Sequence, residues 1–311
     1  MSIEKIVLYN ALGMIKGVGR KALEGLTAEV LEQVCDENDF LQLFDFVRSK
    51  ATRIRPHMAD ELKPLLYSAY RTHAESIERG IVGLTRFDEG YPKLLKNIDA
   101  PPVALYFKGN LGCLNENCIA VVGTRKPSPF AEKLGVRLGN FVAERGFNVV
   151  SGLAEGCDTA GHKGCIQAGR PTIAIMGTSL DEVYPNSNIR LSEEIVECGG
   201  CLVSEYPIGT KMNRYNFVER DRLQAGMSIG VLVVEMGLRG GTLHAVNAAI
   251  KDNKPVGCIA YDPRHYDAYE NSRGNRDFIA DGRAVAITDG MSIESYLNRC
   301  VNLPAETMSL F

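Results

Sequence analysis

The sequence predicts an α/β fold: a parallel or mixed sheet covered by helices on both faces and preceded by a small helical domain. Seven short, nearly continuous apolar and β-branched runs alternate with amphipathic stretches. Strands of that composition are buried on both faces, as in a parallel sheet between helical layers. The run Ile119-Ala120-Val121-Val122-Gly123 stops at Thr124-Arg125-Lys126, and an amphipathic stretch from Pro129 to Arg145 follows at once. That succession of strand, glycine turn and helix opens a βαβ unit. Residues 1–78, by contrast, read as helical throughout.

Within the helical segment, Ile15-Lys16-Gly17-Val18-Gly19-Arg20-Lys21-Ala22-Leu23 has the form of a helix-hairpin-helix, as in SAM-like helical domains. Such a hairpin can offer backbone N–H groups, Arg20 and Lys21 to a nucleic-acid phosphate without regard to sequence. A tight interhelical turn with solvated basic residues fits a single copy equally well. Residues 79–118 follow as an extended connector, with Tyr91-Pro92 and Ala100-Pro101-Pro102 fixing its path and Val103 to Phe107 alternating as a strand does.

The main domain spans residues 119–290. Its strands are expected at Ile119–Val122, Phe147–Val150, Thr172–Met176, Cys201–Ser204, Ile229–Val234, Pro255–Ile259 and Ala284–Ile287, and residues 291–311 form a C-terminal helix and tail. Ligands of such sheets bind outside the carboxyl ends of the strands. Gly123-Thr124-Arg125, Ser151-Gly152-Leu153, Gly177-Thr178, Ser204-Glu205 and the stretch from Met236 to Thr242 all fall there and can converge. At Gly123 the backbone can approach a ligand closely, the N–H groups opening the next helix attract an anion, and Arg125 adds a fork of donors suited to phosphate. A phosphate-bearing ligand is the first expectation. The turn lacks Gly-x-Gly-x-x-Gly and no acidic residue clearly ends the second strand, which argues against a dinucleotide; no cofactor is expected.

A second constellation, Lys211 to Arg222, carries the cations Lys211, Arg214, Arg220 and Arg222 together with Tyr215 and Phe217. Cations tracking a backbone beside an aromatic platform are what single-stranded nucleic acid requires. A solvated loop anchored by Phe217 is the structural alternative.

Composition bounds these readings. A net charge of -3 argues against a protein basic all over, while leaving room for a local basic groove. No apolar run approaches the length of a membrane span, and Glu4 and Lys5 do not fit a signal peptide. Nine cysteines, an odd number scattered along the chain, suit reduced thiols and a cytoplasmic protein. Cys198-Gly199-Gly200-Cys201 has neither a second close pair nor a nearby histidine, so no metal site is expected.

The ordered motifs AVVGTRKPSPF, VVSGLAEGCDTAGHKG, GTSLDEVYPNSN, LVSEYPIGT, NFVERDRLQAGMS, VLVVEMGLRGGTLHA and GNRDFIADGRAV, approached through YPKLLKNIDAPPVALYFKGN, resemble the DprA/Smf family of DNA-processing proteins from about residue 85 to about residue 290. The resemblance implies an extended Rossmann-like domain, a homodimer, non-catalytic binding of single-stranded DNA without marked sequence preference, and loading of a RecA-type recombinase. It implies phosphate contacts at Gly123, Thr124 and Arg125, extended by Lys126 and by Gly152 in the following strand turn. The family's Phe-Pro-x-Arg-Asn-Arg falls on Phe217 to Arg222, so Phe217 would stack on or pack against a base and Arg220 and Arg222 would face phosphates or brace the loop. Lys211 and Arg214 would extend the track.

Three departures stand out. Asp221 replaces the usual Asn, Gly240-Gly241-Thr242 replaces Ser-Gly-Ser/Thr, and His244-Ala245 replaces Thr-Ala. A hydroxyl is lost at Gly240, while Gly241 and Thr242 still offer backbone N–H groups. With about twenty residues after the sheet, the winged helix that some members append is not expected. Such divergence also fits DprA-like proteins that act in phage defence or as antitoxins and restrain a partner toxin of the phosphoribosyltransferase kind. A third alternative is nucleotide hydrolysis of the LOG type, whose turn Gly240-Gly241-Thr242-Leu243 resembles. The carboxylate that should follow is replaced by His244 and Ala245, and His162 and Asp158 read better as helix-bracing residues than as an acid and a base. Finally, Thr307-Met308-Ser309-Leu310-Phe311 resembles the pentapeptide by which repair proteins dock on the sliding clamp.

Overall fold

The computed structural model describes residues 2–51 and 54–302. Helices α1 (Lys5–Gly13), α2 (Arg20–Leu23), α3 (Ala28–Glu32), α4 (Glu37–Ser49) and α5 (Ala59–Glu78) come first. Side chains start two of them: Thr27 Oγ1 accepts from Val30 N, and Asp36 Oδ1 accepts from the N–H groups of Asn38 and Asp39. Strands β1 (Ile81–Thr85) and β2 (Ala104–Gly109) follow, then β3 (Cys118–Val122), α6 (Pro129–Glu144), β4 (Asn148–Ser151), α7 (Cys157–Gln167), β5 (Thr172–Met176), α8 (Ile189–Glu197) and β6 (Cys201–Ser204). The chain ends through α9 (Arg214–Gly226), β7 (Gly230–Val233), α10 (Gly241–Lys251), β8 (Val256–Ile259), α11 (Pro263–Ala268), α12 (Arg273–Ala280), β9 (Val285–Ile287) and α13 (Gly290–Asn302).

The strands form one nine-stranded sheet in the order β1-β2-β6-β5-β4-β3-β7-β8-β9. All neighbours from β6 to β9 are parallel, and the seven expected strands appear to within one residue at each end. Residues 79–118 do more than connect. They add β1 and β2, with β2 antiparallel to β6 (Tyr106 opposite Ser204) and β1 antiparallel to β2 (Thr85 opposite Ala104).

The helical segment has no core of its own. Val7, Leu8, Leu12, Phe40 and Phe44 belong to one apolar cluster with Ile81, Tyr106, Ala174, Met176 and Leu202 of the sheet. Tyr106 donates its hydroxyl to Asn10 at that junction. At the other end of the chain, α13 is fixed by Tyr296, whose hydroxyl reaches the carbonyls of Val231 and Pro255 at 2.9 Å each.

From β3 the chain adds β4, β5 and β6 on one side, then returns along α9 to place β7 on the other side of β3. That reversal opens a crevice at the carboxyl ends of β3 and β7. Among the described residues no helix is long and apolar enough to cross a membrane, and no group of three His, Cys, Asp or Glu side chains is placed to hold a metal ion. Cys198 is exposed and Cys201 is buried in β6. The clamp-like segment Thr307 to Phe311 lies outside the described residues.

Candidate nucleic-acid interface

A cleft of about 740 Å³ occupies the crevice, walled by the β3–α6 turn, by α9 and by the start of α10. The turn is rigid for identifiable reasons. Thr124 N donates to Glu235 O at 2.7 Å, Cys157 N donates to Thr124 O at 3.2 Å, and Lys126 N donates to Thr124 Oγ1 at 3.2 Å. A Cβ at Gly123 would stand 2.6 Å from Cys157 Cβ and 2.9 Å from Glu235 O, so only glycine fits this close approach. Arg125 and Lys126 consequently project into the cleft as exposed cations.

Beneath the turn lies Glu235, fully buried, which the sequence did not single out. Its carboxylate accepts from Ser128 N (2.7 Å) and Ser128 Oγ (3.1 Å) and pairs with His265 Nε2 (2.8 Å). Ser128 Oγ also accepts from Ala131 N at 3.1 Å, capping α6. One buried carboxylate thus joins the turn, the start of α6 and α11. The sequence signal for it is an acidic residue closing an otherwise apolar strand, Val231-Leu232-Val233-Val234-Glu235.

The stretch from Lys211 to Arg222 is largely helix. Asn213 Oδ1 accepts from Tyr215 N at 3.1 Å and starts α9 at Arg214. Helical periodicity then sorts the side chains. Arg214, Phe217, Asp221 and Gln224 share the face that lines the cleft, with Arg220 beside them. The Phe217 ring is half-buried, packs over Gly177 and lies 5.4 Å from the ring of Tyr184 at a tilt of 60°. Above it, the Arg125 guanidinium stands 5.8 Å from the ring centroid.

Arg222 braces the back of the helix and does not face the cleft. Five residues past Phe217, it points away from the cleft, and its Nη2 donates to both carboxylate oxygens of Glu205 (2.7 and 2.9 Å), with Glu219 3.7 Å away. Glu219 in turn meets Arg20 at 3.8 Å. The N-terminal hairpin therefore turns Arg20 toward the back of α9, whereas Lys21 is exposed. Lys211 and Tyr215 are also exposed, and neither lines the cleft.

Arg220 is only 4% exposed and sits between two carboxylates, 3.6 Å from Asp158 Oδ2 and 3.5 Å from Asp221 Oδ1. Gly152 makes room for it: a Cβ at that position would overlap the guanidinium, and Gly152 N donates to Asp158 Oδ2 at 3.1 Å. Gly152 thus contributes under the floor of the cleft and not on its surface. The opposite wall is the start of α10, where Gly240, Gly241 and Thr242 line the cleft with the unpaired N–H groups that open a helix. Arg239, within the stretch expected at the strand ends, lines it too, as does Asn271, which the sequence had not marked and whose Nδ2 donates to Lys126 O at 3.2 Å.

His162 is buried, with Nδ1 2.8 Å from Thr172 Oγ1, and burial lowers its pKa to about 3. It is a neutral bracing group, while His244 is exposed near the start of α10. Burial raises the carboxyl of Asp158, opposed by Arg220. Burial likewise pushes Asp221 up to about 6, against the pull of Arg220 and with the Asp158 charge adding to the rise. A folded-state pKa above the unfolded value means that protonated Asp221 favours the fold, a contribution present at acid pH and lost as pH rises through about 6. Asp221→Asn is therefore expected to stabilise the protein by about 1–2 kcal/mol at about pH 7.5, an advantage that shrinks toward about pH 5. Urea unfolding at the two pH values checks this, and a difference independent of pH would contradict it.

Comparison with known proteins matches this architecture closely. The family model for DNA recombination-mediator protein A covers residues 83–298. Protein Smf of Synechocystis sp. is 34% identical over 216 residues, 68% of this chain and 53% of that protein. This chain spans about half the length of the curated relatives it matches. The X-ray structure of DNA processing protein A from Streptococcus pneumoniae superposes with a TM-score of 0.74 at 28% identity, covering 95% of this chain and 98% of that one. DNA processing protein A from Helicobacter pylori, whose structure is described as revealing a unique single-stranded DNA binding mode, gives 0.62 at 25% identity over 70% of this chain and 96% of that one. With the family model covering residues 83–298 and Protein Smf 34% identical over 68% of this chain, the chain belongs to the DNA recombination-mediator protein A family, the DprA/Smf proteins.

Proposed function

We propose that the cleft binds single-stranded DNA without catalysing a reaction on it, and that the protein acts in DNA processing and recombination. One observation above all supports this: a phosphate-binding fork and a stacking ring stand together at the cleft, with Arg125 5.8 Å from the Phe217 centroid. Nucleotides repeat phosphate and base in the same way, and stacking tolerates any base. Lys126, Arg214 and Arg239 supply further exposed cations along the lining. The family relationship and the single-stranded DNA binding described for the Helicobacter pylori protein point the same way. A hydrolytic role has little to work with. The two carboxylates lining the cleft, Asp158 and Asp221, are buried and engaged with Arg220.

Anisotropy titration of a labelled oligo-dT across a salt series tests the proposal. Three or four phosphate contacts give a slope of log K against log salt of about -2 to -3, at roughly -0.7 per contact on a single strand. A flat dependence, or no binding by the folded protein, would sink it. Homodimer formation and delivery of the strand to a RecA-type recombinase belong to the same proposal. Light scattering and a filament-assembly assay on coated DNA measure them.

A further inference from the structure

The cleft is cationic at its rim, yet its floor offers an acceptor. Asp221 is 7% exposed and lines the cleft. Its Oδ1 accepts from Gln224 Nε2 at 3.0 Å and lies 3.5 Å from Arg220 Nε. Its Oδ2 has no hydrogen-bond partner among the described residues and faces the start of α10, where a Cβ on Gly241 would stand 3.0 Å from it. A phosphate is repelled from that point. Whatever a bound strand places there must donate.

Asp221 lies four residues after Phe217 on the same face of α9, and side chains at that spacing start about 5–6 Å apart. A base stacked on Phe217 therefore brings one edge toward Asp221. Single-stranded bases are read in this way, by stacking on one face and hydrogen bonding along the Watson–Crick edge. Of the four bases, guanine alone puts two adjacent N–H donors, N1–H and the 2-amino group, on that edge, one for the free Oδ2 and one for the lone pair of Oδ1 that Gln224 leaves open. Adenine and cytosine offer one amino group beside a repelling ring nitrogen. Thymine offers one N–H between two carbonyl oxygens.

We propose that Asp221 makes the cleft prefer a guanine at one position of a bound strand, a preference that rests on the cleft being a single-stranded DNA site. The test is anisotropy titration, at about pH 7.5, with labelled oligo-dT in which one central thymine is replaced by guanine, hypoxanthine or adenine. The guanine oligomer is expected to bind about tenfold tighter than all-thymine, hypoxanthine, which lacks the 2-amino group, in between, and adenine close to thymine. In Asp221→Asn the discrimination should fall to within about twofold, while oligo-dT binding is kept or strengthened because a negative charge has left the floor. Equal binding of guanine and thymine oligomers by the wild type overturns the proposal and leaves the cleft as a DNA site. So does a guanine preference that survives in Asp221→Asn. Failure of the folded wild type to bind any oligomer overturns both.

Discussion

Arg220→Ala is expected to destabilise the fold by about 3–5 kcal/mol at neutral pH, the range for breaking a buried charge cluster by removing one partner. The guanidinium lies between Asp158 and Asp221, and without it two buried carboxylates remain with no other cation among the described residues within ion-pair distance. Protonation relieves that repulsion, so the loss should be smaller at about pH 5 than at about pH 7.5. Adding Asp221→Asn to Arg220→Ala should recover part of the stability, giving a double-mutant cycle with a clear coupling. Urea unfolding provides all four values. A loss under about 1 kcal/mol, or one unaffected by pH, would show that Arg220 is not the keystone of the floor.

Phe217 and Arg125 are expected to separate by salt dependence. Phe217→Ala should weaken oligo-dT binding by about 1–3 kcal/mol, the worth of one stacked base, with the salt slope nearly unchanged because stacking displaces few counterions. Arg125→Ala should weaken binding most at low salt and reduce the slope by about 0.7, one phosphate's share. The two side chains are close enough, at 5.8 Å, for the effects to be non-additive. Opposite behaviour, with Phe217→Ala changing the slope and Arg125→Ala leaving it alone, would mean that the ring packs the turn and the cation contacts no phosphate.

The sequence revealed the sheet more fully than the site. Runs such as Thr172–Met176 and Cys201–Ser204 are apolar because they are covered on both faces, and that leaves little ambiguity. Strand β1 escaped notice because Gly83 interrupts it. A Cβ there would stand 2.6 Å from Ile6, so the glycine serves the packing of α1 on the sheet edge and weakens the strand signal. At the site, Gly123, Arg125 and Phe217 were legible from chemistry and order. Of the two roles open to Arg222, facing a phosphate or bracing, the sequence could not choose; the helix does, because it divides the stretch into a cleft face and a braced face. Glu235 was missed because its partners are the N–H and hydroxyl of a serine 107 positions away and a distant histidine, which no local motif announces.

The most direct test of the cleft is the double variant Arg125→Ala/Phe217→Ala, titrated beside the wild type against labelled oligo-dT at about 50 and about 200 mM salt, with thermal unfolding as a check on folding. Salt-sensitive binding by the wild type and its loss in a variant that still folds are expected. Unchanged affinity in the folded variant would contradict it and move the DNA site elsewhere on the molecule.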